Sequence, residues 1–283
     1  MYITLGETAI GTAFQMANVK SIRSLERGIN VLKSLHDMGP ASLHEIHLKT
    51  ELSKPTLLRI LKTLAECGMV RQGMSDSKYR NAIGLRTLSS NLNFQDRVSE
   101  GTGPVLESLR QKIKWPSDLF MLDQNAGDMM KLIETSRASS PYQLQIDPIG
   151  LLVNMTKSAV GRAYLAFCTD EIRESLFQKI KASKNPYHLQ SQDFKSLESE
   201  LEKIRETGVA HREFGFTGGE DNYFGFDDEL LAMAMPIMNE VDVLGCITIM
   251  WRRASHTEEE FMAMYFDDLK QAATQCEFRF AQQ

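Results

Sequence analysis

The apolar residues first fall into a regular pattern near Ser21. Ile22, Leu25, Ile29, Leu32 and Leu35 recur at spacings of three and four, which gives one face of a helix. Gly39-Pro40 ends that helix. Leu43, Ile46 and Leu48 mark a short second helix, with Glu51-Leu52 as the turn that follows. Ser53 is placed to cap a third helix that tolerates Pro55 in its first turn. Leu57, Leu58, Ile60, Leu61 and Leu64 are its expected buried side, and Gly68 closes it. Met69-Val70-Arg71 and Tyr79-Arg80 then flank a polar tip from Gly73 to Lys78, the pattern of a β-hairpin. Three helices and a hairpin in this order predict a winged helix-turn-helix over residues 19–83. Residues 1–18, whose one charged side chain is Glu7, read as a flexible arm or as an extension ahead of a start at Met16.

Beyond it the pattern changes. Leu85, Leu88 and Leu92 form a narrow stripe that predicts a linker helix over 84–98. Gly101-Thr102-Gly103 is expected to separate it from a helix over Pro104–Ile113. Strands are predicted at Ser117–Leu122, Met129–Glu134 and Leu151–Val153, the first two joined by a loop over Asp123–Gly127. Helices follow over Ala159–Cys168, from a Thr169 cap to Lys181, and over Asp193–Glu206. A hairpin pairs Leu230–Met238 with Val243–Trp251, and Thr257-Glu258-Glu259-Glu260 opens a last helix with a capping box. Residues 99–283 therefore read as an α+β domain, a sheet with helices on its faces.

Composition adds little until it is split along the chain. The 283 residues are 42% hydrophobic and 24% charged, which fits an ordinary globular protein of two domains and excludes a disordered or collagen-like chain. No apolar run approaches the length of a membrane span, the first residues lack a basic secretory start, and the four cysteines are far apart. A cytoplasmic location is expected. Residues 1–97 carry 13 Lys/Arg against 8 Asp/Glu, net +5, while the rest carries 19 against 29, net −10. A basic module joined to an acidic one points to a polyanion as the partner of the first.

The exposed chemistry agrees. The third helix leaves Lys54, Thr56, Arg59 and Lys62 projecting from its apolar side, as a helix in the major groove of double-stranded DNA requires. The hairpin adds Arg71, Lys78 and Arg80 for phosphate or minor-groove contact. The alternative is a winged helix used for protein contact. Enzyme chemistry is hard to find: there is no G-x-S-x-G elbow, P-loop or Rossmann fingerprint. Asp227-Asp228-Glu229 and Glu258-Glu259-Glu260 diverge as consecutive side chains do, and read as solvated. His44-Glu45-Ile46-His47, with His36 nearby, falls one residue short of H-E-x-x-H, so no metal site and no cofactor are expected.

The stretches Val19–Gly28, Lys54–Leu64 and Gly68-Met69-Val70, continued by Tyr79-Arg80 and Gly84-Leu85, resemble the IclR family of bacterial transcription regulators. So do Ser158–Ala166, Arg205–Ala210, Ala234–Ile237 and Gly245–Ile249, and the resemblance runs from Val19 to Phe280. Two positions depart from the family pattern: His47 stands in place of a small alanine, and Glu51 in place of the turn glycine, at a strain of about 1 kcal/mol that is expected to re-shape the turn. The resemblance implies a GAF-like effector-binding domain behind the winged helix. It places Arg23 and Pro55 with the DNA contacts, and Ala159, Val160, Arg212, Ala232, Thr248 and Met250 around the effector. In that set Arg212 would hold a carboxylate, with a surface ion pair to Glu213 or Glu220 as its alternative. Lys114–Leu119 resembles the subgroup that activates genes of aromatic-acid breakdown. The expected protein is thus a homodimer or dimer of dimers on a pseudo-palindromic operator. It would be switched by a small carboxylate and, as an activator, would work on RNA polymerase. The alternatives are a repressor released by a short oxo-acid, and a metabolite-binding protein or enzyme with a vestigial winged helix.

Overall fold

The computed structural model describes residues 20–90, 94–124, 128–142, 144, 149–183, 194–216 and 228–281. They form two compact units that divide between positions 93 and 94. The expected arm over 1–18 lies outside the described residues, as does most of the expected 123–127 loop.

The first unit contains α1 (Arg23–Met38), α2 (Leu43–Thr50), α3 (Lys54–Glu66), the hairpin β1 (Val70–Gln72) and β2 (Tyr79–Asn81), and α4 (Gly84–Ser89). Val31, Leu35, Ala41, Ile46, Leu57, Leu61 and Val70 make its core. On α1 the buried stripe is Gly28, Val31 and Leu35, whereas the predicted Ile22, Leu25 and Ile29 are exposed at 66%, 59% and 44%. Those three lie one residue-step around the helix, so the two stripes adjoin and the core takes only one. Leu58 is corrected in the same way: Leu57 and Leu61, four apart, take the core and leave Leu58 exposed. Leu48 is exposed as well. Ser42 and Glu45 close a capping box on α2. Gly68, at φ +72°, ends α3 with Met69 N–H donating to the Leu64 carbonyl at 2.8 Å.

The described residues of the predicted linker helix fall in two elements. α4 stops at Ser89, where Ser90 turns its hydroxyl onto the Thr87 carbonyl, and α5 (Phe94–Ile113) begins the second unit. Contrary to expectation α5 runs straight through Gly101-Thr102-Gly103 and Pro104. Gly101 and Thr102 are buried, and the Thr102 hydroxyl donates to the Val98 carbonyl at 2.8 Å. Small residues let this face lie close to the sheet, and that burial offsets about 1 kcal/mol of propensity lost at each glycine.

Among the described residues the second unit is one six-stranded antiparallel sheet with helices on both faces. Its strands are β3 (Ser117–Asp123), β4 (Met129–Thr135), β5 (Leu152–Val153), β6 (Ala210–His211), β7 (Leu230–Met238) and β8 (Val243–Arg252), in the order β5-β4-β3-β8-β7-β6. Among the described residues its remaining α-helices are α6 (Ala159–Phe167), α7 (Asp170–Ala182), α8 (Phe194–Thr207) and α9 (Glu258–Ala281). Alternation along the strands divides the core. Leu119, Met121, Met233, Met235, Ile247, Ile249 and Trp251 face α5 and α9. Phe120, Leu132, Ala232, Ala234 and Cys246 face the α6–α8 side. Both edge strands, β5 and β6, are two residues long.

Candidate nucleic-acid interface and effector site

The first turn of α3 is the centre of the candidate interface. Ser53 has the extended backbone of an N-cap, yet its hydroxyl meets the Thr56 hydroxyl at 2.9 Å instead of a backbone N–H. The expected side-chain cap is therefore absent, and Thr56 is half-buried rather than outstretched. Lys54, Pro55, Arg59 and Lys62 are all exposed, with Leu58 among them. Lys62 stands 3.8 Å from Glu66, a solvated pair worth little. Arg23, the first residue of α1, is exposed too.

The turn leading into α3 keeps its shape despite Glu51, which takes the left-handed conformation at φ 58°, ψ 9°. The expected re-shaping does not occur. Glu51 N–H donates to the His47 carbonyl at 2.9 Å, and His47 Nδ1 meets the Leu52 carbonyl at 2.7 Å. The second histidine of the H-E-x-H stretch is thus engaged by backbone. Among the described residues no group of three His, Cys, Asp or Glu is arranged to hold a metal.

In the wing, Arg71 is exposed opposite Arg80. Arg80 is half-buried, its guanidinium ion-paired with Asp76 at the hairpin tip. The Lys78 backbone N–H, and after it Arg80, hold the Asp76 carboxyl below the usual carboxylate range. Lys78 lies 3.9 Å from Glu45 of α2. The wing therefore presents one uncommitted arginine, Arg71, where the sequence promised two.

In the second unit the expected effector residues lie on the α6 side of the sheet. Ala159 and Val160 open α6 behind the Ser158 cap, and they share a buried cluster with Ala232, against which Met250 packs. Ala232 is paired with Met250 across β7 and β8, and Arg212 N–H donates to the Ala232 carbonyl at 3.0 Å. Thr248, 2% exposed, spends its hydroxyl on the Met233 carbonyl at 2.8 Å.

Arg212 is not the surface ion pair weighed as its alternative. Its residue is 5% exposed, and its Nη2 donates to Asp228 at 2.6 Å and to the Phe216 carbonyl. Its Nε is buried with no acceptor among the described residues. Asp228 is correspondingly no part of a solvated acidic run but the counter-ion of this arginine. Glu213 pairs instead with Lys157 and Arg162, while Glu220 lies outside the described residues.

The sequence reading missed a second pair. Asp118 and Arg137, with side chains 1% and 2% exposed, form an ion pair at 2.6 Å. Arg137 also donates through Nε, Thr135 donates to the same carboxylate at 2.6 Å, and Arg137 Nη2 lies 3.0 Å from Met250 Sδ. Asp118 faces Thr248 across β3 and β8, so this pair adjoins the expected effector residues. Nineteen positions separate the partners, and no local spacing announces them. Burial pushes the Cys168 thiol up to about 11 and the Cys276 thiol up to about 12, which leaves both protonated and unfit as nucleophiles.

Comparison with known proteins agrees with this division. The family profile described as the IclR helix-turn-helix domain matches residues 24–73, and that of the bacterial transcriptional regulator IclR C-terminal domain matches residues 95–277. The chain is 26% identical over 236 residues to the "Probable transcriptional regulator SauR" of Cupriavidus necator, covering 83% of this chain and 87% of that one. A solved IclR homolog from a Microbacterium species aligns with a TM-score of 0.54 at 18% identity, over 91% of this chain and 98% of the other. Another, an IclR homolog from Microbacterium hydrocarbonoxydans complexed with 4-hydroxybenzoate, aligns with a TM-score of 0.51 at 18% identity, over 92% of this chain and all of the other.

Proposed function

The chain belongs to the IclR family of bacterial transcriptional regulators, which are not enzymes, and from that premise we propose that it is an activator switched by an aromatic acid. The observation that carries the DNA half is the outward row Lys54, Pro55, Arg59 and Lys62 on a helix whose other side is core. Lys54 and Thr56 meet base edges or nearby phosphates, Arg59 either, and Lys62, Arg23, Arg71 and Lys78 the backbone. Arg80 supports the wing tip through Asp76. Leu58 joins the interface as an apolar contact, of the kind that reads a thymine methyl.

A second copy supplies the symmetry. Ile22, Leu25 and Ile29 on α1, with Leu88 on α4, are large apolar side chains exposed in the single chain. A dimer through them would read a pseudo-palindromic operator in the cytoplasm, and as an activator would engage RNA polymerase there.

The effector half rests on Arg212. A buried donor without an acceptor costs about 1–3 kcal/mol, and a ligand carboxylate on Nε would relieve that cost. Val160, Ala232 and Met250 supply apolar surface for a flat ring beside it. The same fold is complexed with 4-hydroxybenzoate in the M. hydrocarbonoxydans protein, which supports the aromatic reading. For the acid to act on DNA binding it must bind one dimer geometry better than another.

The test begins with duplexes selected from a randomised pool, with affinity followed across salt. Each phosphate contact contributes a log–log slope of about −0.9, so Arg59→Ala should weaken binding and flatten the slope by about that amount for each subunit on the duplex if Arg59 meets a phosphate. Calorimetry with aromatic and oxo-acids then tests the pocket, and Arg212→Ala should abolish the best ligand's heat. A reporter gene that falls silent on adding the acid would replace the activator reading by repression.

A further inference from the structure

The helix-turn-helix turn of this chain is held by a device that its own residues reveal. Glu51 sits at φ 58°, where a side chain is strained and glycine is not. Both backbone groups of the next residue, Leu52, are met by side chains from the end of α2. The Thr50 hydroxyl accepts from Leu52 N–H at 3.5 Å, and His47 Nδ1 lies 2.7 Å from the Leu52 carbonyl. A carbonyl only accepts, so Nδ1 carries the proton and donates. Thr50 is itself anchored, its hydroxyl donating to the Ile46 carbonyl at 2.7 Å. Leu52 packs against the core of the unit, and Ser53 and Lys54 follow it directly into α3.

We infer that His47 is a positioning residue for DNA recognition: its Nδ1–H bond to Leu52 holds the strained Glu51 turn and so fixes the direction in which Lys54, Pro55 and Arg59 are presented. His47 touches no nucleic acid in this role. Its imidazole and the Glu51 turn form one unit, in which the ring keeps populated a backbone geometry that Glu51 alone would leave. Where the binding-competent turn is only partly populated, affinity falls by that fraction. The inference rests on the DNA-binding reading above.

The test is a double-mutant cycle read by affinity for a duplex selected with the wild-type chain. His47→Ala should weaken binding roughly fivefold for each recognition helix, the worth of one hydrogen bond. His47→Asn, whose amide nitrogen occupies much the place of Nδ1, should retain most of the affinity. Glu51→Gly introduced into His47→Ala should recover most of its loss, because glycine adopts the turn unaided. A His47→Ala chain that is folded and binds as wild type overturns the inference. So does a His47→Asn chain as impaired as His47→Ala, whether in binding or in folding, since the donor would then not be what matters. Additive effects of the two substitutions overturn it as well. A wild-type chain that enriches no duplex at all sinks the DNA-binding reading instead, so the two failures are told apart.

Discussion

Replacing Asp118 by alanine tests the electrostatics of the effector unit most directly. The carboxylate receives Arg137 Nη2 at 2.6 Å and Arg137 Nε at 3.0 Å, both out of water, and the half-buried Thr135 hydroxyl at 2.6 Å. Removing it breaks a buried ion pair by taking away the Asp118 partner of Arg137, a change that costs about 3–5 kcal/mol. With a urea dependence near 2 kcal/mol per molar, the unfolding midpoint should fall by about 2 M. Both tryptophans of the chain, Trp115 and Trp251, are buried in this unit at 3% and 0% exposure, so their fluorescence follows its unfolding and not that of the winged helix. The paired replacement Asp118→Leu with Arg137→Met removes both charges and should recover most of the loss, to within about 1 kcal/mol. A single variant whose midpoint moves by less than about 0.5 M, or a double as unstable as the single, would refute the reasoning. The folded double variant then answers a second question. If it still binds the acid, the charge beside Met250 serves the fold alone.

Two further outcomes follow from the wing and from α6. Asp76→Asn keeps an acceptor for the Lys78 N–H but releases Arg80, so binding should tighten and the salt slope steepen by about 0.9 for each subunit on the duplex; unchanged binding would mean that Arg80 reaches no phosphate even when released. Gly161→Ala would bring a Cβ to 2.3 Å from the Met155 carbonyl and 2.4 Å from its Cα. That backbone must move, so the tryptophan-monitored stability should fall by about 1–3 kcal/mol and acid binding through neighbouring Ala159 and Val160 should weaken, whereas a wild-type midpoint would contradict the close packing.

The elements were legible in the sequence to the extent that they rest on local chemistry. The hairpin over Val70–Asn81, the Thr169 and Thr257 caps and the late β7–β8 pair all follow from turn and capping residues in place. What periodicity could not settle is which of two adjoining apolar stripes on α1 enters the core, because spacing marks a helix face without naming its partner. Gly101-Thr102-Gly103 misled for a related reason: propensity is local, and burial against the sheet outweighed it. At the candidate sites the residue types were visible but their commitments were not. Arg80 and Arg212 each carry a carboxylate partner, and Arg137 reaches back nineteen positions to Asp118. The Arg212 and Arg137 pairings are fixed by tertiary register, which the spacing of residues does not encode, whereas Asp76 and Arg80 meet within one hairpin.

The shortness of β5 and β6 bears on how copies of this chain can come together. A flanking strand of two residues offers so few unpaired amides that a neighbour's sheet has almost nothing to zip onto. Continuous sheets running from one molecule into the next, with the fibrous deposits they nucleate, are thereby disfavoured. Self-association is left to side chains on helices, where single substitutions can tune or abolish it.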